Sequence, residues 1–379
     1  GIHYMFYQLI KKMDTRKKLG KRIISSIITE EKRLKLERYL KDGPRRKMIR
    51  QVSDAGTSHI EDILQVCLQH ISPVTEPLVL ISQVAYSGGS LLGRLLDGHP
   101  NLHTYPHSFA VDAPEKGDSW PKIDITGNPE EWLNIFSKTT AATGIREGFK
   151  QSKKDSSRFP FICLPILERQ IFTKYLKSVQ PLNARHVFDA HMTACFGAWL
   201  NYQNHGPDKK FVTAYAPGVP LQNQAEDNFF EIYPDGRLIS IIRDPVDWFI
   251  SASGLEPKTY GDVESALGLW KNSVRSAMEA RKRFGDRVCL IQFENLIHQT
   301  KAVMRHLANF LGISYEDILL EPTFNRIPTQ SPDSAKTDHS PGKHQGVTES
   351  ITIDKDQRAR IEEMTTAVYQ SALQQVVPF

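Results

Sequence analysis

Two short segments of the sequence carry residues suited to holding an anion, and each directly follows an apolar run of strand length. The first contains Ser87-Gly-Gly-Ser90, and the second runs from Arg243 to Ser251. Glycine lets a backbone turn tightly and approach a ligand, and serine hydroxyls donate hydrogen bonds. The fork of an arginine guanidinium pairs well with phosphate oxygens. Two such segments together favour a nucleotide that carries phosphate groups at both ends.

The elements around the first segment have the pattern strand, turn, helix. Leu78 to Ile81 is a continuous apolar run, typical of a strand covered on both faces. Leucines then recur at helical spacing after Ser90, and Gly98 with Pro100 marks the end of the helix. The helix N terminus, with its free N–H groups and its positive dipole end, therefore faces the loop. For this loop taken alone, an ordinary tight turn is the alternative.

The second segment begins where another buried-type strand ends. Leu238 to Ile242 is apolar, and Arg243 follows at a point where a charge must be paired or solvated. Pro245 ends the strand, and apolar residues resume in a short predicted helix that contains Ser251. This order suits a phosphate held by the guanidinium and the serine hydroxyl. The alternative is an arginine paired with a neighbouring aspartate on a surface turn.

Together the two segments resemble the sulfotransferases that use 3′-phosphoadenosine 5′-phosphosulfate (PAPS). In that family a K/R-S-G-T/S-T/S loop holds the 5′-phosphosulfate, and an R-D/N-P-x-x-x-x-x-S segment holds the 3′-phosphate. The Leu-Leu-x-x-Leu-Leu-Asp-x-His-Pro stretch ending at Pro100, Val288–Leu296 and Glu321–Pro328 are similar too, and the bacterial and tyrosylprotein branches match best. The resemblance covers roughly residues 77–330. It implies a nucleotide site made of Ser87, Gly88, Gly89, Ser90, Leu91, Arg243 and Ser251.

The resemblance also implies the fold and its divisions. We expect a three-layer, P-loop-like α/β fold, in which a central parallel sheet is flanked by helices and binds ligands at its carboxyl edge. A basic helical N-terminal extension is predicted over residues 1–73 and a sulfotransferase domain over residues 74–379. Within that domain, residues 328–348 are predicted to form a mobile loop and residues 354–374 a C-terminal helix.

The main departure from the family pattern is Tyr86, which stands where the family has lysine or arginine. That cation offsets charge on the transferring sulfuryl group, whereas tyrosine is uncharged at pH 7 and offers only a hydrogen bond. Either another cation takes over or catalysis is weak. Arg94, one helical turn after Ser90, is expected to form a structural ion pair. Lys116 and Lys122 are therefore the candidates that reach into the site.

A sulfotransferase needs a base that accepts the proton of the acceptor hydroxyl. The tyrosylprotein branch has a glutamate shortly after the His-Pro pair, and the matching residue here is His107. Histidine accepts a proton near neutral pH, because its ordinary pKa is about 6.5. His103 is the competing candidate, and hydrogen-bonding roles for both histidines in a loop are the alternative. His99, at the end of the helix, is assigned to structure.

Composition favours a globular enzyme. The chain has 379 residues, 40% hydrophobic and 24% charged, which is enough for a sizeable core. No run approaches the roughly 18 apolar residues of a membrane span, and no signal-peptide pattern occurs at the start. The four cysteines are far apart and form no C-x-x-C motif, so neither a zinc site nor a disulfide framework is predicted. We therefore expect a cytoplasmic enzyme that needs no metal.

Charge is concentrated at the N terminus. Residues 1–50 contain 16 Lys/Arg against 5 Asp/Glu, a net charge of +11, while the whole chain carries only +5. Apolar residues at helical spacing predict one or two amphipathic helices that end at Gly43-Pro44, and a further helix over residues 60–70. We expect a solvated extension packed on the catalytic domain, and peripheral contact with an anionic membrane is the alternative. Nucleic acid is not expected as a partner, since no aromatic stacking pattern accompanies the charge.

Elsewhere the apolar pattern predicts helices over residues 130–140, 166–178, 263–284 and 300–311, a strand over 211–214 and a short strand end at 187–190. The whole sequence predicts a PAPS-dependent sulfotransferase acting on a hydroxyl of a small-molecule, carbohydrate or lipid acceptor and releasing 3′-phosphoadenosine 5′-phosphate (PAP). A small-molecule kinase is disfavoured because G-x-x-x-x-G-K-S/T is missing, and a dinucleotide oxidoreductase because G-x-G-x-x-G is missing. A non-catalytic nucleotide-binding relative is the other alternative, and Tyr86 is its best argument.

Overall fold

A computed structural model describes residues 59, 61–109, 123–137, 149–150, 158–159, 161–221, 224–329 and 353–378. The chain divides into two compact units, residues 1–70 and residues 71–379. In the first unit the described part is a helix over residues 61–69. The basic helices predicted within residues 1–50, most of the predicted loop 328–348, and both Lys116 and Lys122 lie outside the described residues.

The centre of the second unit is a parallel sheet, which has five strands within the described residues. These strands are β1 (Leu78–Ile81), β2 (Leu102–Ser108), β3 (Phe211–Tyr215), β4 (Arg237–Ile242) and β5 (Val288–Gln292). Their order across the sheet is β2-β3-β1-β4-β5, and every pairing between neighbours is parallel. Strand β1 is buried along its whole length and β4 from its second residue onward, as their apolar runs predict.

Helices connect the strands and cover the sheet, so the predicted α/β fold is confirmed. They are α1 (Gly89–Leu96), α2 (Pro129–Ser137), α3 (Pro165–Ser178), α4 (Ala184–Ala198), α5 (Ala225–Ile232), α6 (Pro245–Leu255), α7 (Pro257–Tyr260), α8 (Val263–Phe284), α9 (Phe293–His298), α10 (Thr300–Leu311) and α11 (Lys355–Leu373). Two short antiparallel hairpins pair residues 149–150 with 158–159 and residues 323–324 with 327–328. In the part of the chain that the structure describes, no helix is both long and apolar enough to cross a membrane.

One predicted element is wrong, because residues 187–190 form no strand end and lie inside α4. Asn183 starts this helix, and its side chain accepts a hydrogen bond from the backbone N–H of His186 (2.9 Å) in a capping box. Almost every residue of α4 from Val187 onward is buried. A helix buried on all sides lacks the 3.6-residue alternation that identifies an amphipathic helix, so a short apolar run within it is mistaken for a strand.

The order of the strands creates a crevice between β1 and β4. The connection after β1 leads to β2 at one edge of the sheet, and the connection after β4 leads to β5 at the other edge. Open parallel sheets bind ligands at the carboxyl ends of the two strands where such connections diverge. The loop Ser87–Ser90 follows β1 and Arg243 follows β4. The fold therefore brings both predicted anion-binding segments to one crevice.

Candidate functional site

The loop between β1 and α1 is shaped for the close approach of an anion. Gly88 has a left-handed φ of 99° and precedes α1 with no side-chain cap on the helix N terminus among the described residues. A Cβ atom at Gly88 would collide with the ring of Phe293, and one at Gly89 with the side chains of Gln83 and Tyr215. Glycine is therefore required at both positions. The first N–H groups of α1 can thus donate to an anion at the positive end of the helix dipole.

The two serines of the loop have different surroundings. Ser87 is 1% exposed, whereas Ser90 is exposed at the start of α1. Ser90 lines a cavity of about 100 Å³ between α1 and strands β2 and β3, whose other hydroxyl-bearing residues include Thr104, Ser108 and Thr213. Leu91 is buried, so its predicted contribution to the loop is limited to its backbone N–H. The cavity joins the helix N terminus to a wall rich in hydroxyl groups.

Side chains from the second half of the domain hold the backbone just before Ser87. The hydrogen bonds join Val84 N to Ser273 Oγ (2.8 Å), Trp248 Nε1 to Ala85 O (2.8 Å) and Arg243 Nη1 to Tyr86 O (2.7 Å). These contacts fix the loop before a ligand arrives, which lowers the entropy cost of binding. Neither Trp248 nor Ser273 is identifiable from the sequence, because each acts on a loop far away along the chain.

Arg243 lies in the interior beside this loop. It is 6% exposed, and its guanidinium lies 4.5 Å from the centre of the Phe293 ring. The neighbouring Asp244 caps α6, since its Oδ1 accepts hydrogen bonds from the next two available backbone N–H groups (2.9 and 3.1 Å). Burial raises the pKa of the nearby Glu294 carboxyl, and the charge of Arg243 partly opposes that rise. An exposed arginine on a surface turn is therefore excluded. Ser251 lies on α6 and is half-buried.

Tyr86 is engaged in contacts of its own. Its φ of 67° is left-handed, which is uncommon for a residue other than glycine. Its hydroxyl donates a hydrogen bond to Glu256 Oε1 (2.6 Å), and its ring meets Tyr260 edge to face at 5.7 Å. Burial and the Glu256 carboxylate raise the pKa of Tyr86, so the hydroxyl stays protonated and neutral. Tyr86 does not replace the cation that the resemblance leads one to expect, and Glu256 is a contact that the sequence does not reveal.

The two candidate bases, His103 and His107, both lie in β2, a stretch for which the sequence predicts no element. His107 lies near the carboxyl end of the strand, where the register with β3 shifts between Thr104 and Ser108. His103 is buried, with Nδ1 2.8 Å from the hydroxyl of Tyr202. Burial, reinforced by the charge of Lys209, lowers the pKa of His103 to about 3. The cavity is lined by neighbours of His103 in β2 and not by His103 itself.

Two further residues complete the account of the predicted site. His99 is fully buried, its Nε2 donates to Ser314 O (2.9 Å) and its Nδ1 accepts from Asn101 N (3.2 Å), which agrees with a structural role. The sequence predicts a structural ion pair for Arg94, and in the structure this residue lines the cavity together with Ser90. Within the described ranges, no group of three or more His, Cys, Asp or Glu side chains is arranged to hold a metal ion.

Comparison with known proteins relates this sequence to a family. A family model described as "Sulfotransferase family" matches residues 77–317. Similar solved structures include a sulfotransferase from Alicyclobacillus acidocaldarius, with 15% identity over 80% of this chain and 98% of that one and a TM-score of 0.44. The sulfotransferase domain of the Synechococcus PCC 7002 olefin synthase has 16% identity over 82% and 99% and a TM-score of 0.44. A mouse sulfotransferase complexed with PAP has 13% identity over 83% and 94% and a TM-score of 0.37. No curated protein matches the sequence.

Proposed function

This chain belongs to the sulfotransferase family, and on that premise we propose that it transfers a sulfuryl group from PAPS to a hydroxyl of a small-molecule, carbohydrate or lipid acceptor. The proposal depends on one observation: the uncapped N terminus of α1 and the buried Arg243 meet in one crevice. PAPS carries anionic groups on both the 5′ and the 3′ side of its adenosine. Two anion-binding elements at one crevice therefore fit this nucleotide better than one with a single phosphate group.

Each end of the nucleotide has its own partners in this proposal. The N–H groups of residues 88–91 and the Ser90 hydroxyl hold the 5′-phosphosulfate, while Arg243 and Ser251 hold the 3′-phosphate. The ring of Phe293 lies between these two elements, against Gly88 on one side and the Arg243 guanidinium on the other. An aromatic ring in that position suits packing against the nucleoside, because aromatic rings and bases stack.

The transfer needs a base on the acceptor side of the sulfuryl group. The acceptor oxygen attacks sulfur, the bond between sulfur and the 5′-phosphate oxygen breaks, and its electron pair stays on PAP. The proton of the acceptor hydroxyl passes to His107 in this proposal. His103 is the weaker candidate, because a buried imidazole with a pKa of about 3 binds a proton poorly at neutral pH. The hydroxyl-lined cavity between α1 and β2 receives the acceptor.

Calorimetric titration with PAP, 5′-AMP and ATP tests this function. We expect PAP to bind about tenfold or more tightly than 5′-AMP, which lacks the 3′-phosphate, and to do so without Mg²⁺. Equal affinities for PAP and 5′-AMP would rule the proposal out. Tight binding of ATP only with Mg²⁺ would favour the kinase alternative. Binding of PAP without transfer from labelled PAPS to any member of an acceptor panel would favour the non-catalytic alternative.

Tyr86 offers a second prediction. Because its hydroxyl is bonded to Glu256, Tyr86→Phe is expected to change PAP affinity and turnover by less than about threefold. Tyr86→Lys is expected to raise turnover by no more than about threefold, since Glu256 stands within reach of the new ammonium group and another cation serves the sulfuryl group. Steady-state rates with labelled PAPS measure both effects. A gain of about tenfold or more from Tyr86→Lys would show that the site lacks a compensating positive charge.

A further inference from the structure

Helix α8 contacts both anion-binding segments of the crevice through two residues that lie one turn apart. Trp270 donates its indole N–H to the backbone carbonyl of Arg243 (Nε1 to O, 3.2 Å), directly after β4. The hydroxyl of Ser273 accepts a hydrogen bond from the backbone N–H of Val84 (2.8 Å), between the end of β1 and the loop. Residues three apart lie on one face of an α-helix, so a single face of α8 holds both segments.

Both bonds satisfy backbone groups at the point where strands β1 and β4 part. The paired residues of these strands end at Ile81 and Ile239, and the bond from Ser82 N to Ile239 O (3.0 Å) follows. Val84 N and Arg243 O lie beyond that point, and a buried backbone group without a partner is costly. The side chains of α8 therefore take the place of a strand neighbour where the crevice opens.

The two side chains are fixed in the interior of the domain. Trp270 is 1% exposed and Ser273 is 2% exposed. The ring of Trp270 meets the ring of Tyr369, from α11, at 6.1 Å between centroids. The hydroxyl of Tyr369 in turn accepts a hydrogen bond from Gln292 Nε2 (3.0 Å), at the end of β5. A helix packed in this way changes position little, so it fixes the separation of the two segments that it holds.

We propose that Trp270 and Ser273 are positioning residues that set the distance between the 5′ and the 3′ anion-binding segments, and so make the site selective for a nucleotide with phosphate groups on both sides. The inference rests on the proposed function. When two binding elements stand at a separation that matches the ligand, binding of one group brings the other to a high effective concentration. Each side chain acts through the backbone of the segment that it holds, and not by touching the nucleotide.

A purely structural role is the competing explanation, since a side chain that satisfies a buried backbone group stabilises the fold. Loss of stability lowers the folded fraction and weakens the apparent affinity for every ligand by the same factor. That factor cancels in a coupling ratio, defined as the product of the dissociation constants of 5′-AMP and adenosine 3′-phosphate divided by the product of those of adenosine and PAP. The coupling ratio equals one when the two phosphates bind independently, and it exceeds one when the spacing of the site links them.

The experiment measures the coupling ratio by calorimetry, with competition titrations for the weaker ligands. It compares the wild type with Ser273→Ala, Trp270→Phe and the double variant, each of which loses one or both of the bonds from α8. We expect a ratio of about tenfold or more in the wild type and of at most about threefold in each single variant. Because both bonds serve one spacing, the double variant is expected to fall little below the single variants.

Ser276→Ala and Trp132→Phe are the matched controls. Ser276 lies one turn further along α8 and donates its hydroxyl to Glu226 of α5, whereas Trp132 of α2 donates its indole N–H to Asp124 O (2.8 Å). Each control removes the same side-chain group from a bond that holds neither anion-binding segment. Their coupling ratios are expected to stay within about twofold of the wild-type value.

A wild-type coupling ratio in Ser273→Ala and Trp270→Phe would overturn the inference, and so would an equal loss of coupling in the two controls. If Trp270→Phe does not fold, Ser273→Ala decides the question alone. A wild type that prefers PAP to 5′-AMP but has a coupling ratio of about one would overturn the spacing role and leave the proposed function standing. Failure of the proposed function has a different signature, because the wild type itself would then not prefer PAP to 5′-AMP.

Discussion

Replacing Arg243 by alanine is expected to remove most of the preference for PAP over 5′-AMP, at a cost of about 2–4 kcal/mol in PAP binding. Arg243 is 6% exposed at the crevice, where a charge-assisted contact with phosphate is screened little by water. Calorimetry with both nucleotides measures the preference directly. The loop before α1 loses its hydrogen bond from Arg243 to Tyr86 O in the same variant. 5′-AMP lacks the 3′-phosphate, so its affinity serves as an internal reference that reports on this change in the loop.

Arg237→Ala is the matched control for this variant. Arg237 starts the same strand at its opposite end, where its Nη1 donates to the backbone carbonyls of Asp235 (3.1 Å) and Gly236 (3.0 Å). Its loss is expected to lower the thermal midpoint and to leave the nucleotide preference unchanged. An Arg243→Ala variant that still prefers PAP about tenfold would place the 3′-phosphate elsewhere.

His107→Ala is expected to lower turnover about 100-fold or more while PAP affinity stays within about twofold, because general-base catalysis acts on the transfer step and not on nucleotide binding. The rate is measured with labelled PAPS and the acceptor that a panel screen identifies. A base must be unprotonated to act, so activity that depends on it is lost as the pH falls through its pKa.

His103→Gln provides the comparison. His103 has a pKa of about 3 and stays neutral at any pH used for the assay, so a fall in kcat/KM below pH ~6.5 cannot come from its titration. We expect His103→Gln to keep turnover within about threefold and to weaken the fold, since it disturbs the bond to Tyr202. Full turnover of His107→Ala together with an inactive His103→Gln would mean that the base has been misassigned. If both variants keep full turnover, an acidic residue or water accepts the proton.

The parts of the site that the sequence alone predicts are those that depend on short stretches of chain. The apolar runs of β1 and β4, the glycines at the start of α1, and the position of Arg243 at the end of β4 are confirmed. Each follows from patterns within about ten residues, because strand burial, tight turns and helix starts are local properties. The central parallel sheet also follows from this local pattern together with the resemblance, and the fold bears it out.

A pattern that depends on the alternation of apolar and polar residues does not reveal elements that are buried on all sides. Helix α4 is buried on nearly all sides, and the stretch of β2 contains a proline and two histidines, so neither shows the periodicity of its true structure. The burial of His103 follows from the packing of Phe196 of α4 against its ring at 4.7 Å. The positions of α4 and of Tyr202 decide that this histidine is enclosed, and both are distant from β2 along the chain.

The partners of the loop are decided by tertiary structure alone. Glu256 reaches Tyr86 across 170 residues, Trp248 reaches Ala85 across 163 and Ser273 reaches Val84 across 189. The side of α1 on which Arg94 meets the cavity likewise depends on how α1 packs beside β2 and β3. The sequence by itself therefore determined the two anion-binding segments and their order on the strands, because local hydrophobic pattern and turn chemistry encode them. Only the packing of α6, α7 and α8 against the sheet decided that Tyr86 is held by Glu256, because contacts between distant segments leave no local pattern.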